Sequence, residues 1–274
     1  MDNRPLGIFD SGIGGLTVVR ALHELMPHER LIYLGDTARV PYGNKSADTI
    51  IRYSREISNF LLSKDVKGIV VACNTASAYA LDTLKAELQV PVFGVIEPGV
   101  SAALAATRNN RVGIIGTIGT IKSEAYQSAL KKQQPELEII AHATPLLVPL
   151  IEEDWLSHSA TRAILEEYLW QFRLMKIDTL VLACTHYPLL KPTLTNLLGH
   201  NIELVDSAES CARFVRDALA KTNQLSDAND ESSIEVYLTD MPVHFKKVGE
   251  RFLRKKLHKV DLVSVDGLSS TQRR

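Results

Sequence analysis

The chain has 274 residues, 45% hydrophobic and 23% charged, which is enough apolar material for one large domain or two moderate ones. Lys plus Arg number 31 against 32 for Asp plus Glu, a formal net charge of -1 that argues against a dedicated nucleic-acid binder. The three cysteines, with no CxxC pair, speak against a disulfide framework and give a structural zinc site no local support.

In chain order, "PLGIFD", "RLIYLGD", "VKGIVVAC" and "VPVFGVI" predict four strands, with helices near 15–26, 46–63 and 76–88 between them. "RVGIIGT", "ELEIIAHAT", "IDTLVLAC" and "NIELVD" predict four more, separated by helices near 119–133, 159–174 and 188–199. A helix through "AESCARFVRDAL" follows, and 221–233 is polar and aperiodic, a surface loop. "IEVYLTD", a helix over 242–256 and "KVDLVSV" complete the chain, with the basic "RFLRKKLHK" (251–259) as a solvated helix face. Nearly all-apolar strands alternating with helices predict an α/β fold of mainly parallel sheets flanked by helices. No apolar stretch approaches the roughly 20 residues of a membrane span. By Leu6 the chain has entered a strand-like run, without the basic and apolar segments of a signal peptide, so a cytoplasmic protein is expected.

The first four strands look duplicated in the second four. "LGIFDSGIGG" (6–15) matches "VGIIGTIGT" (112–120) with one gap, and "GIVVACNT" (68–75) matches "TLVLACTH" (179–186) without one. Each half thus ends its third strand on a cysteine, Cys73 or Cys184. Ligands of open α/β sheets bind beyond the carboxyl ends of the strands, so two facing halves would bring both thiols to one interdomain cleft. Polar turns and helix starts near Thr75 and Pro188 follow the two cysteines, settings that favour a thiolate. Cys211 lies within a helical run and is expected to be inert packing. Two thiols so far apart in sequence suit proton transfer on opposite faces of a substrate better than a redox pair.

Seven motifs in order resemble the cofactor-independent glutamate racemases of bacteria: "GIFDSGIGGLTV", "YLGDTARVPYG", "ACNTASA", "GVIEPG", "LVPLIEED", "ACTHYPLL" and "VDSAE". The resemblance implies two pseudo-symmetric α/β domains, 1–97 with 211–274 carrying Cys73, and an inserted 98–210 carrying Cys184. It implies L-glutamate and D-glutamate as substrates, no cofactor and no metal, a homodimer, and D-glutamate supplied for peptidoglycan. Cys184 would deprotonate the L-enantiomer and Cys73 the D-enantiomer. Asp10 and Ser11 are candidates to receive the α-ammonium group or support Cys73. Tyr42, Gly43, Asn74, Thr75 and Thr185 are candidates to hold carboxylates. His186 would assist Cys184, and Glu152 would support that side.

Rival readings are weaker. "DSGIGGLT" breaks the dinucleotide pattern at Thr17 and lacks the G-K-[ST] of a phosphate loop. Aspartate racemases share the two-cysteine logic, but "ACTHYPLL" and "VPYG" look more like the glutamate enzymes. Some glutamate racemases are associated with inhibition of DNA gyrase, so a non-catalytic role is the rival of another class.

Overall fold

The computed structural model describes residues 1–228, 232–243 and 245–265. The ends of three expectations therefore lie outside the described residues: part of the 221–233 loop, position 244 of the last helix, and the chain beyond 265. The elements in order are β1 (Leu6–Asp10), α1 (Leu16–Leu25), β2 (Leu31–Gly35), α2 (Ala47–Leu62), β3 (Gly68–Val71), α3 (Asn74–Glu87), β4 (Val92–Gly94) and α4 (Ile96–Ala106). There follow β5 (Arg111–Gly116), α5 (Ile118–Lys122), α6 (Ala125–Gln133), β6 (Glu138–Ala143), α7 (Leu147–Glu152), α8 (Ser159–Leu174), β7 (Thr179–Ala183), α9 (Lys191–Leu198) and β8 (Glu203–Asp206). The chain closes with α10 (Ser207–Lys221), β9 (Ile234–Leu238), α11 (Phe245–Leu253) and β10 (Val260–Leu262).

Two sheets form, and every strand pair among the described residues is parallel. One runs β10-β9-β2-β1-β3-β4, the other β6-β5-β7-β8. The blocks β2-β1-β3-β4 and β6-β5-β7-β8 have the same strand order and direction, and their registers agree as well. Gly7 pairs with Ile69 and Gly113 with Leu180, so each cysteine lies four residues past its glycine's partner. The central strands β1, β3 and β7 are buried along their whole length, which explains their continuous apolar runs. Among the described residues no helix is long and apolar enough to cross a membrane.

Three helical expectations change. The run 119–133 splits into α5 and α6 because Glu124 takes a left-handed conformation, φ 55°. The run 188–199 begins as a tight 3-10 turn, Tyr187–Leu190, and becomes α-helical only at Lys191. Helix α4 was not expected from sequence. It packs against α6, α10, β7 and β8, and a helix covered on several sides has no polar face to give a periodic signal. Pro98 and Gly99 sit within its first turn, where proline is tolerated because that turn's N–H groups have no helical partner.

Candidate active site

The carboxyl ends of β1, β3, β5 and β7 converge on one cavity of about 320 Å³ between the sheets. Ten of the eleven residues singled out from sequence line it: Ser11, Tyr42, Gly43, Cys73, Asn74, Thr75, Glu152, Cys184, Thr185 and His186. Asp10 does not. It is 1% exposed and lies behind the wall, accepting from the Gly12 N–H at 2.9 Å and from the Thr185 hydroxyl at 3.2 Å. Burial pushes its carboxyl upward, opposed by the charge of His186.

The two thiols have unlike surroundings. Cys73 caps α3, its sulfur accepting from the Ala76 N–H at 3.5 Å and lying 3.6 Å from Ser11 Oγ. A helix N-terminus should favour its thiolate, yet burial and the negative charge of Asp10 prevail, and the thiol is pushed up to about 12. Cys184 caps no helix. Its sulfur instead lies 3.9 Å from His186 Nδ1, whose Nε2 is 2.8 Å from Glu152 Oε1. Burial opposes charge on His186, but its bonds to Cys184 and Glu152 outweigh that cost and raise it to about 10. The two thiols thus sit in unlike surroundings, Cys73 against Ser11 and a helix N-terminus, Cys184 against an imidazole backed by a carboxylate.

Hydroxyls cross between the two sheets in mirrored fashion. Thr185, just after Cys184, reaches Asp10 at the end of β1. Thr75, two residues after Cys73, meets Thr117 at the end of β5 at 2.9 Å, and Thr120 closes that triangle at 3.1 and 3.0 Å. Asn74 is fixed by the Tyr126 hydroxyl, which donates to its side-chain carbonyl at 2.8 Å. Tyr42 donates to the buried carboxylate of Asp36, which also accepts two bonds from Arg39 Nε and one from Thr239. Tyr42 is therefore held by its own loop, and the adjacent Gly43 packs so tightly on Thr117 that a Cβ would lie 2.9 Å from it.

Two hydroxyl-bearing lining residues are not singled out from sequence, Thr117 and Tyr187, and the hydroxyl of Tyr187 is bonded to Thr144. The internal repeat contains the signal, since Thr117 of "GIIGT" aligns with Ser11 of "GIFDS". Cys211 is fully buried in α10, its sulfur 3.9 Å from the Gly94 carbonyl and away from the cavity, and burial pushes it up to about 12. Among the described residues no group of three or more His, Cys, Asp or Glu side chains is arranged to hold a metal ion.

These shifts predict a pH dependence of stability. Folding raises His186 from 6.5 to about 10 and Cys73 and Cys211 from 9.0 to about 12. A raised value means that the native state holds the proton more tightly. The stabilisation is complete below the unfolded value and is lost as pH climbs through the folded one. The melting temperature should fall between about pH 7 and pH 10, and His186→Asn should flatten that fall. A melting temperature level or rising across that window in the unsubstituted protein contradicts the assignment.

Comparison with known proteins agrees with this geometry. A family described as Asp/Glu/Hydantoin racemase matches residues 16–215. The glutamate racemase of Geobacter metallireducens is 49% identical over 263 residues, covering 96% of this chain and 97% of that protein. The crystal structure of Francisella tularensis glutamate racemase in complex with D-glutamate superimposes with a TM-score of 0.90 at 38% identity, over 97% of this chain and 99% of that one. Escherichia coli glutamate racemase, solved in complex with L-glutamate and the activator UDP-MurNAc-ala, gives 0.77 at 29% identity, over 95% and 98%. With near-complete coverage in both directions, this chain belongs to the glutamate racemases of the Asp/Glu/Hydantoin racemase family.

Proposed function

We propose that this protein interconverts L-glutamate and D-glutamate by proton transfer between two thiols, without a cofactor. The observation that carries the reading is the pair of cysteines at equivalent strand ends of two matching sheets, both lining one cavity. With L-glutamate bound, the Cys184 thiolate takes the α-proton, breaking the Cα–H bond and forming an S–H bond. The Cys73 thiol then gives its proton to the opposite face of the same carbon. Charge is conserved, and the two sulfurs exchange protonation states. D-glutamate runs the same steps in reverse. His186, held by Glu152, stands beside Cys184, and Ser11 stands beside Cys73, so each sulfur has its own polar neighbour.

A thiolate alone is far too weak a base for an amino-acid α-proton. The difference must come from donors arranged around the α-carboxylate as negative charge spreads onto it. Ser11, Asn74, Thr75, Thr117 and Thr185, with the backbone at Gly43, are the groups available. Asp10 acts on the substrate through Thr185 and the Gly12 loop and lends negative charge near Cys73. Movement of an inserted domain, 98–210, against the remainder would admit substrate and then exclude water. The further reading is a cytoplasmic homodimer whose D-glutamate enters peptidoglycan.

The test is circular dichroism of pure D-glutamate incubated with the protein, with a chelator and no added cofactor. Decay of the signal to zero is expected. A constant signal with folded protein removes glutamate as substrate, and decay with aspartate alone would transfer the reading to that amino acid.

A further inference from the structure

Helix α11, which returns from the far end of the chain, touches the Cys184 side of the site at two points. Phe252 is fully buried and packs edge-on against the His186 ring, with centroids 5.1 Å apart and planes at 82°. One residue earlier, Arg251 forms an ion pair with Asp154, which lies two residues after Glu152 and also has Lys247 at 3.8 Å. Asp154 is the left-handed residue, φ 66°, of the turn that ends α7. α11 itself is seated on α1, where Arg20 donates to the Phe252 carbonyl at 3.4 Å.

Glu152 needs such an anchor. Its side chain is 44% exposed and stands at the end of a helix of six residues, and its hydrogen bond to His186 ties it to the site. A short helix has little stability of its own, so the orientation of its last residue depends on what holds the next turn. We propose that Arg251 is a positioning residue: by gripping Asp154 it fixes the α7 turn, while Phe252 fixes the ring, so that Glu152 and His186 meet and the imidazole is held beside Cys184.

The proposal rests on the reading of His186 and Glu152 as partners of Cys184. The titratable groups facing His186 are Cys184 on its own turn, Glu152 from α7 and Asp10 from β1. The face of α11 against the ring presents Phe252, so Arg251 acts through the geometry of Glu152 rather than by its own contact with the imidazole.

A merely structural ion pair and a positioning one differ in what they move. A partly exposed ion pair contributes little to stability, whereas a misplaced Glu152 weakens the charge on His186 and slows reaction at the Cys184 sulfur. The experiment is alkylation of the full chain by iodoacetamide, with the labelling rates of Cys184 and Cys73 read separately by mass spectrometry. It is performed on the unsubstituted protein, Arg251→Gln, Arg251→Lys and Asp154→Asn. Cys73 is the internal control for global loosening.

Arg251→Gln and Asp154→Asn should each slow Cys184 labelling at neutral pH by about tenfold, leave Cys73 labelling unchanged, and lower kcat with little change in KM. Arg251→Lys, which keeps the charge, should recover most of the rate. Unchanged Cys184 labelling in both neutralised variants overturns the proposal. So does an equal change at both cysteines, which is the signature of loosening. Because labelling needs no turnover, the result stands apart from the racemase reading, which fails separately if the unsubstituted protein leaves glutamate unchanged.

Discussion

Cys73→Ala should lower racemisation of both enantiomers by at least about a thousandfold, because each direction needs one thiol as base and the other as acid. The variant should nonetheless keep half of its chemistry. In heavy water, Cys184 can still remove the α-proton of L-glutamate and return a deuteron to the same face. L-Glutamate should therefore gain deuterium without inverting, while D-glutamate, whose proton faces the missing sulfur, should gain none. Cys184→Ala should do the opposite. The asymmetry of the two sites sharpens this expectation. Cys184 keeps its neighbour His186 when Cys73 is removed, so its base remains equipped. Cys73 has Ser11 and the α3 N-terminus but also the opposing charge of Asp10, so exchange of D-glutamate in Cys184→Ala should be the slower of the two. Proton NMR of the α-position together with chiral separation reads both quantities. Near-normal racemisation in either variant ends the two-thiol mechanism, and exchange of the wrong enantiomer reverses the facial assignment while retaining the pair.

Much of this site was legible because the chain repeats itself. The matched strands around Cys73 and Cys184 required no long-range information, only the observation that both cysteines end an apolar run in the same context. The position of Asp10 was not legible. "FDSG" marks a turn, and the carboxylate does make the local bond to the Gly12 N–H that such a turn implies. Its second partner, Thr185, is 175 positions away and joins it only because the two halves face each other. The Glu152–His186 contact is of the same kind. Adjacency to Cys184 marks His186, but nothing in "LVPLIEED" indicates that Glu152 ends its helix against that ring. Two of the three helical misreadings have local causes. The break at Glu124 costs one left-handed residue that the amphipathic pattern does not register, and α4 lacks the polar face that would have revealed it.

Gly14→Ala should cost about a hundredfold in kcat while leaving the protein folded. A Cβ at position 14 would lie 2.3 Å from both His186 Nδ1 and Thr185 Oγ1, far inside contact distance. The glycine cannot easily retreat. Its carbonyl accepts from the N–H of Thr17 at 3.0 Å, and the single proton of the Thr17 hydroxyl is shared between the Gly14 and Thr185 carbonyls, 2.9 Å from each. Thr185 is pinned from the other side by Asp10, so the methyl must displace the His186 ring, and with it the 3.9 Å approach to Cys184 and the bond to Glu152. Overpacking of this kind costs about 1–3 kcal/mol, which leaves most of the typical stability of a folded domain, about 5–15 kcal/mol. Activity should therefore fall far more than the folded fraction does, and calorimetry alongside kinetics separates the two. His186→Ala supplies the decisive comparison. In that background the ring is absent, only the Thr185 contact remains, and adding Gly14→Ala should cost much less than it does alone. If Gly14→Ala has normal kcat, or costs the same with and without the imidazole, then the close approach of this glycine does not set the position of His186.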